Sequence, residues 1–167
     1  MRRVLIFCEG VTDQIFITDC LELFYGIVCN RIIKKGKNVE VSFDKNSAIV
    51  DVGGCSKLSD PIFVSQMEDN SELGGVNIIV FDADVPGRMN ANSGKIGNNG
   101  FSNCTNKLEA LKANKKLSFH YYIWPNHRED GMIEDLLRKL IPQSKEPILN
   151  CIESHKNCLE SLSMQNL

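Results

Sequence analysis

The stretch VLIFCEGVTDQIF, residues 4–16, changes its hydrophobic period halfway along, and that change decides the fold class. Val4 to Cys8 is a continuous apolar run, the pattern of a strand buried on both faces. After Glu9-Gly10 the spacing turns helical. Ile15/Phe16, Cys20, Leu23/Phe24 and Ile27 fall on one stripe, Thr12 or Asp13 is placed to cap the helix, and Gly26 weakens its end. A buried strand passing through a tight turn into a helix is the opening unit of an α/β sheet.

The same alternation continues down the chain. The basic stretch Arg31 to Lys37 reads as a solvated connection, followed by strand-like pieces at Val39–Phe43 and Ala48–Val52 joined by the turn-rich Asp44-Lys45-Asn46-Ser47. Gly53-Gly54 closes the second piece as a tight strand-to-helix turn. Residues 56–72 look helical but are interrupted by Pro61. Val76–Phe81 is the second strong apolar run and ends in Asp82-Ala83-Asp84. A loop rich in Gly, Asn and Ser extends from Val85 to about Asn103, a length that suits a functional role. A basic helix over 104–116, a strand over Ser118–Trp124 and a helix bearing Met132/Ile133, Leu136/Leu137 and Leu140 follow, the last closed by Pro142. A final helix carries Ile148, Ile152, His155, Leu159 and Leu162 at steps of three and four. The expected architecture is α/β: a mostly parallel central sheet flanked by helices, with a C-terminal helical extension over about 131–163.

Composition narrows the class. The chain has 167 residues, enough for one domain, 1–167, with a proper core. At 43% hydrophobic and 24% charged it is neither disordered, collagenous nor a coiled-coil rod. A net charge of -2 excludes a polycation held on nucleic acid by bulk charge, so any such role needs a local patch. No apolar run reaches the roughly 18 residues needed to span a bilayer. The apolar run after Met1-Arg2-Arg3 also stops at Glu9, short of a secretory signal. Seven cysteines without a C-x-x-C pair read as buried reduced thiols, which points to a cytoplasmic protein.

Three carboxylates stand at strand ends: Glu9 after the first strand, Asp82 and Asp84 after the VNIIVF strand. In a parallel sheet those ends share one edge, where ligands bind. On an extended backbone Asp82 and Asp84 face the same way. Carboxylates gathered in one crevice repel unless a cation joins them, and hard oxygen donors without sulfur or imidazole suit Mg²⁺ or Mn²⁺. The 85–116 segment supplies cations, with Arg88, Lys95, Lys107, Lys112, Lys115 and Lys116 against Glu109 alone. Lys95 is the expected phosphate contact. Asp13 reads as a helix cap, while Phe119, Tyr121 and Ile123 read as core or sheet-face residues. Asn126 and His127 suit either binding or plain solvent exposure.

With those residues in view, VLIFCEGVTDQIF and NIIVFDAD resemble the TOPRIM domain shared by topoisomerases, bacterial primases and the OLD-type nucleases. Glu9-Gly10 and Asp82-Ala83-Asp84 match its two signatures in order, and Gly53-Gly54 resembles the paired glycine many members carry. The strand-helix background covers roughly residues 3–124. WPNHREDGMIEDLL, residues 124–137, resembles a stretch of small TOPRIM-like proteins related to the OLD nucleases. The resemblance implies a Rossmann-like TOPRIM fold and Mg²⁺-dependent phosphodiester chemistry on DNA or RNA. It implies Asp82 and Asp84 as metal ligands, Glu9 as ligand or general base, and Glu134, with Asp135 beside it, as holder of a second metal. Glu134 can equally pair with Arg138 four residues on. OLD-type nucleases are fused to an ATPase, so an ATPase or DNA-processing partner is implied, and the last helix can pack on its own sheet or on a second copy in a homodimer.

Two other readings stand beside the nuclease. One is a non-catalytic TOPRIM-like nucleic-acid-binding or regulatory module that works with a partner. The other is a haloacid dehalogenase-like phosphatase, which also uses Asp-x-Asp, although normally after its first strand and without the Glu-Gly partner. Phosphate-loop nucleotide hydrolysis is disfavoured, since no G-x-x-x-x-G-K-[ST] motif occurs.

Overall fold

The computed structural model describes residues 2–33, 39–44, 46–87, 97–152 and 154–155. The first apolar run is β1 (Val4–Cys8), followed after the Glu9-Gly10 turn by α1 (Val11–Tyr25). Gly26 ends that helix in the left-handed conformation, with φ 66°. Then come β2 (Cys29–Ile33), β3 (Val39–Phe43), β4 (Ser47–Asp51), α2 (Pro61–Glu72), β5 (Val76–Asp82), α3 (Phe101–Lys115), β6 (His120–Trp124) and α4 (Ile133–Leu140). Among the described residues the strands form one sheet in the order β2-β3-β4-β1-β5-β6. β4, β1, β5 and β6 are mutually parallel, and β3 and β2 are antiparallel additions at one edge. The protein is therefore α/β, with a mixed, mostly parallel sheet flanked by helices.

Three local expectations change. Part of the stretch expected as a solvated connection is a strand: β2 pairs with β3 from Cys29↔Phe43 to Ile33↔Val39. Arg31 within it and the lysines that follow in sequence disguise it, and an edge strand tolerates a charge such as Arg31. Pro61 does not break a helix. It occupies the first turn of α2, where its missing N–H is harmless, after a single 3-10 turn at Cys55–Lys57.

The third change concerns α1. Its inward residues are Asp13, Gln14 and Thr18, whereas Ile15, Leu23 and Phe24 of the apolar stripe are exposed. Helical spacing identifies a stripe but not the direction it faces. The polar face can lie inside because each member has a partner. Gln14 Nε2 donates to the Ile49 carbonyl at 3.0 Å, and Thr18 Oγ1 donates to the Gln14 carbonyl at 2.6 Å. Phe16 does pack inward, edge-on to the Trp124 ring at 5.5 Å.

The largest core lies on the opposite face of the sheet. Leu5, Phe7, Ile79 and Phe81 meet Val64 and Met67 of α2 and Cys104 and Leu108 of α3. Ile123 of β6 and Phe119 just before it are buried there, as core residues, as expected. Asn77 at the start of β5 donates to the Met67 carbonyl at 2.9 Å and the Ser118 carbonyl at 3.1 Å, tying α2, β5 and the approach to β6 together. These contacts fix the strands whose carboxyl ends carry the acidic residues.

By compactness the chain divides into Met1–Ile133 and Glu134–Leu167. The second unit contains the rest of α4, a 3-10 turn at Gln143–Lys145 and helical residues at 146–152 and 154–155. Ile148 and Ile152 are exposed, and Leu159 and Leu162 lie outside the described residues. No helix among the described residues is long and apolar enough to cross a membrane.

Candidate acidic site at the carboxyl edge of the sheet

β1 and β5 are neighbours, yet their onward connections leave in opposite directions, toward β4 and toward β6. The carboxyl ends of such a strand pair open a crevice where α/β sheets bind ligands. Glu9 follows β1 at this crevice, and Asp82 ends β5.

The paired glycines hold Glu9 in place. Gly53 and Gly54 have φ of 74° and 118°, values that favour glycine, and Gly54 N–H donates to the Glu9 carbonyl at 2.9 Å. The Glu9 carboxyl is pushed up to about 7, first by burial, then by the negative charges of Asp84 and Asp13. Backbone hydrogen bonds from Cys55 and Asp82 oppose that rise without cancelling it.

Asp82 and Asp84 are held differently. Asp84 has φ 59°, so the extended alternation expected to put both side chains on one face stops at Ala83. Asp82 Oδ1 accepts from the N–H of Ile133 at 2.8 Å. Asp84 Oδ2 accepts from the N–H of Asn98 at 2.6 Å, and its backbone bridges to Gly131. The Asp84 charge bears on Glu9, and the Asp82 backbone hydrogen-bonds to it.

Asn98 is the residue that sequence reading missed. It is buried at the end of the long loop, and its side-chain amide donates to the Asp82 carbonyl at 2.6 Å and to Glu9 Oε2 at 3.4 Å. With its N–H on Asp84, this one residue links all three acidic positions. The available signal was Gly97-Asn98-Asn99-Gly100, an asparagine pair between glycines at the entry to a helix, as expected of polar groups turned onto neighbouring backbone. Asn103 braces the turn by donating to the Asn98 carbonyl at 2.6 Å.

The expected phosphate contact, Lys95, and Arg88 lie outside the described residues. Of the other cations, Lys107 Nζ donates to the Gly97 carbonyl at 3.1 Å beside the crevice. Lys112 lies over the Phe119 ring, 5.4 Å from its centre. Lys115 and Lys116 sit in the last turn and at the C-cap of α3, where they complement its dipole.

Asp13 is a capping residue, as expected, though at the third position of α1 with Gly10 as the cap itself. Its Oδ2 accepts from Gly10 N–H at 3.1 Å and its Oδ1 from Trp124 Nε1 at 3.1 Å. Asn126 caps the N–H groups of Arg128 and Glu129. His127 Nδ1 accepts from Ile123 N–H at 3.2 Å, and its ring stacks on Tyr122. Both therefore have structural work after β6. Glu134 is exposed in the first turn of α4 and opens the second unit.

No group of three or more His, Cys, Asp or Glu side chains among the described residues could hold a metal ion. The oxygen-only pair of Glu9 and Asp84, mutually unfavourable as charges, does fit the looser mode in which Mg²⁺ is held by one or two carboxylates and completed by water and substrate phosphate. An enclosed three-carboxylate cage is not what these residues build.

Fold and site together define an α/β protein with a paired-carboxylate crevice at a sheet switch point. The chain belongs to the family described as "Protein of unknown function (DUF3226)", whose model matches residues 3–167. No curated protein matches it, and no solved structure does.

Proposed function

We propose that this protein is a TOPRIM-type enzyme of phosphodiester transfer, a nuclease acting on DNA or RNA with Mg²⁺ or Mn²⁺. The observation that carries the reading is the meeting of Glu9 and Asp84 at the β1/β5 crevice, with Asn98 hydrogen-bonded to both. Glu9 and Asp84 would hold the ion, with water and substrate phosphate completing its shell. The ion's contribution when bound is to polarise a phosphoryl oxygen and offset charge in the transition state.

The protein's own groups supply the rest. Asn98 orients the two carboxylates. When it is not bound to the ion, Glu9 can act as general base on water. Lys107 places a positive charge beside the crevice, which offsets substrate phosphate. Glu134 remains the proposed holder of a second ion.

Cleavage of single- and double-stranded DNA and RNA with Mg²⁺, with Mn²⁺ and with EDTA tests the reading. Wild type is expected to cut in a metal-dependent way, with Glu9→Gln and Asp84→Asn at least 100-fold slower. Failure of the wild type to bind either ion at millimolar concentration would sink it. A second reading, a non-catalytic module working with an ATPase or other DNA-processing partner, is favoured by the exposed apolar residues Leu23, Phe24, Tyr25 and Val28.

A further inference from the structure

A cavity of about 190 Å³ lies between the Cys55–Lys57 turn and α3. Its α3 side is built by Cys104, Lys107, Leu108 and Leu111, which the spacing of three and four places on one helix face. Leu58 completes an apolar wall opposite. Asn98, Lys107, Ser56 and Ser59 are the polar residues of the lining. Asn98 also contacts Glu9 and Asp84, so whatever enters this cavity sits one side chain away from the acidic pair.

The lining selects the occupant. The volume is below the roughly 300 Å³ at which pockets for drug-sized molecules begin, so a single ring system fits and a whole nucleotide does not. The lining carries a single ammonium, Lys107, and two carboxylates stand behind Asn98, so the net charge around the cavity does not favour an anion inside it. The thiols of Cys55 and Cys104 add no charge. What remains is a neutral, flat, mostly apolar group with a hydrogen-bonding edge.

We propose that this cavity receives one nucleobase of the nucleic acid whose phosphate lies at Glu9 and Asp84. The inference rests on the nuclease reading and adds a substrate class to it. A base stacked in a duplex cannot reach such a cavity without leaving the stack, so the preferred substrate is single-stranded.

Cys55 lines the cavity and is part exposed, and its burial-raised thiol ionises only at alkaline pH, so its alkylation by iodoacetamide at pH 9 reports occupancy. The full chain in EDTA, where no cleavage occurs, is alkylated with and without adenosine, guanosine, cytidine or uridine, and modified sites are read by mass spectrometry. At least one nucleoside is expected to slow Cys55 alkylation several-fold while the exposed Cys151 reacts unchanged. Ser59→Trp, and Ser56→Trp as a second variant at another exposed position, should abolish that protection. Absence of protection by every nucleoside overturns the inference, as does equal protection by inorganic phosphate. Metal-dependent cleavage without protection rejects the base pocket and leaves the nuclease reading standing. Protection without cleavage does the reverse.

Discussion

The Asp84 carboxylate lies directly against Gly97, leaving no room for a Cβ at that position. The backbone at Gly97 has ordinary dihedrals, so glycine is needed there for space and not for conformation. Gly97→Ala must therefore displace either the Asp84 carboxylate or the segment that carries Asn98. The expected result is at least a tenfold loss of Mg²⁺ affinity and a stability loss of about 1–2 kcal/mol. Isothermal titration with Mg²⁺ and urea denaturation check both. Unchanged metal affinity would detach Asp84 from the proposed site.

Glu9 makes stability depend on pH in a defined direction. Its folded-state carboxyl stands at about 7 against an ordinary 4.5, so the fold favours the protonated form. The stability this provides is complete below about 4.5 and is lost as pH rises through about 7. Glu9→Gln, which cannot ionise, should gain on wild type across that window by on the order of 1–3 kcal/mol, after allowance for solvent screening of a half-buried group. Melting curves at pH 5, 6, 7 and 8 in EDTA would show the gap opening with pH. A gap that is constant from pH 5 to 8 contradicts the cause given for the shift.

Asp13 links the turn after β1 to the end of β6. Asp13→Ala leaves the Gly10 N–H and the Trp124 indole N–H without their acceptor in a site where Asp13 is only 4% exposed. The expected loss is about 2–4 kcal/mol, while Asp13→Asn, which keeps an acceptor oxygen, should lose less. Trp124 is the only tryptophan, so its fluorescence reports the change directly. Equal stability of the alanine and asparagine variants would mean that the indole bond contributes nothing.

The strands β1 and β5 were legible because a doubly covered strand must be apolar throughout, and Glu9 and Asp82 were legible because they end those runs. Gly53-Gly54 was readable as a turn for its backbone freedom alone. β2 was hidden by Arg31 and the lysines that follow it in sequence, since an edge position permits such a charge. Asn98 was hidden for another reason. Its role depends on the three-dimensional return of a loop to two strand ends, and no periodicity in sequence encodes that return. The orientation of the Asp82-Ala83-Asp84 pair was misread because the two-residue alternation assumes extended backbone, and Asp84 is left-handed. Its consequence is that the two carboxylates are held separately, Asp82 on the N–H of Ile133 and Asp84 on the N–H of Asn98.

The exposed face of α1 yields the last prediction. Leu23 is 79% and Phe24 77% exposed, beside Tyr25 and Val28, at the end of α1 that leads into the edge strand β2. Side chains this exposed contribute little burial to their own domain, so Leu23→Gln and Phe24→Gln together should change the stability of the isolated chain by less than about 1 kcal/mol. A contiguous apolar patch does promote association, however. The double variant should therefore raise the concentration at which the protein self-associates or precipitates, measured by light scattering across a concentration series. A large stability loss in the double variant, with scattering unchanged, would mean that the stripe is packed within the chain, as its helical spacing first suggested.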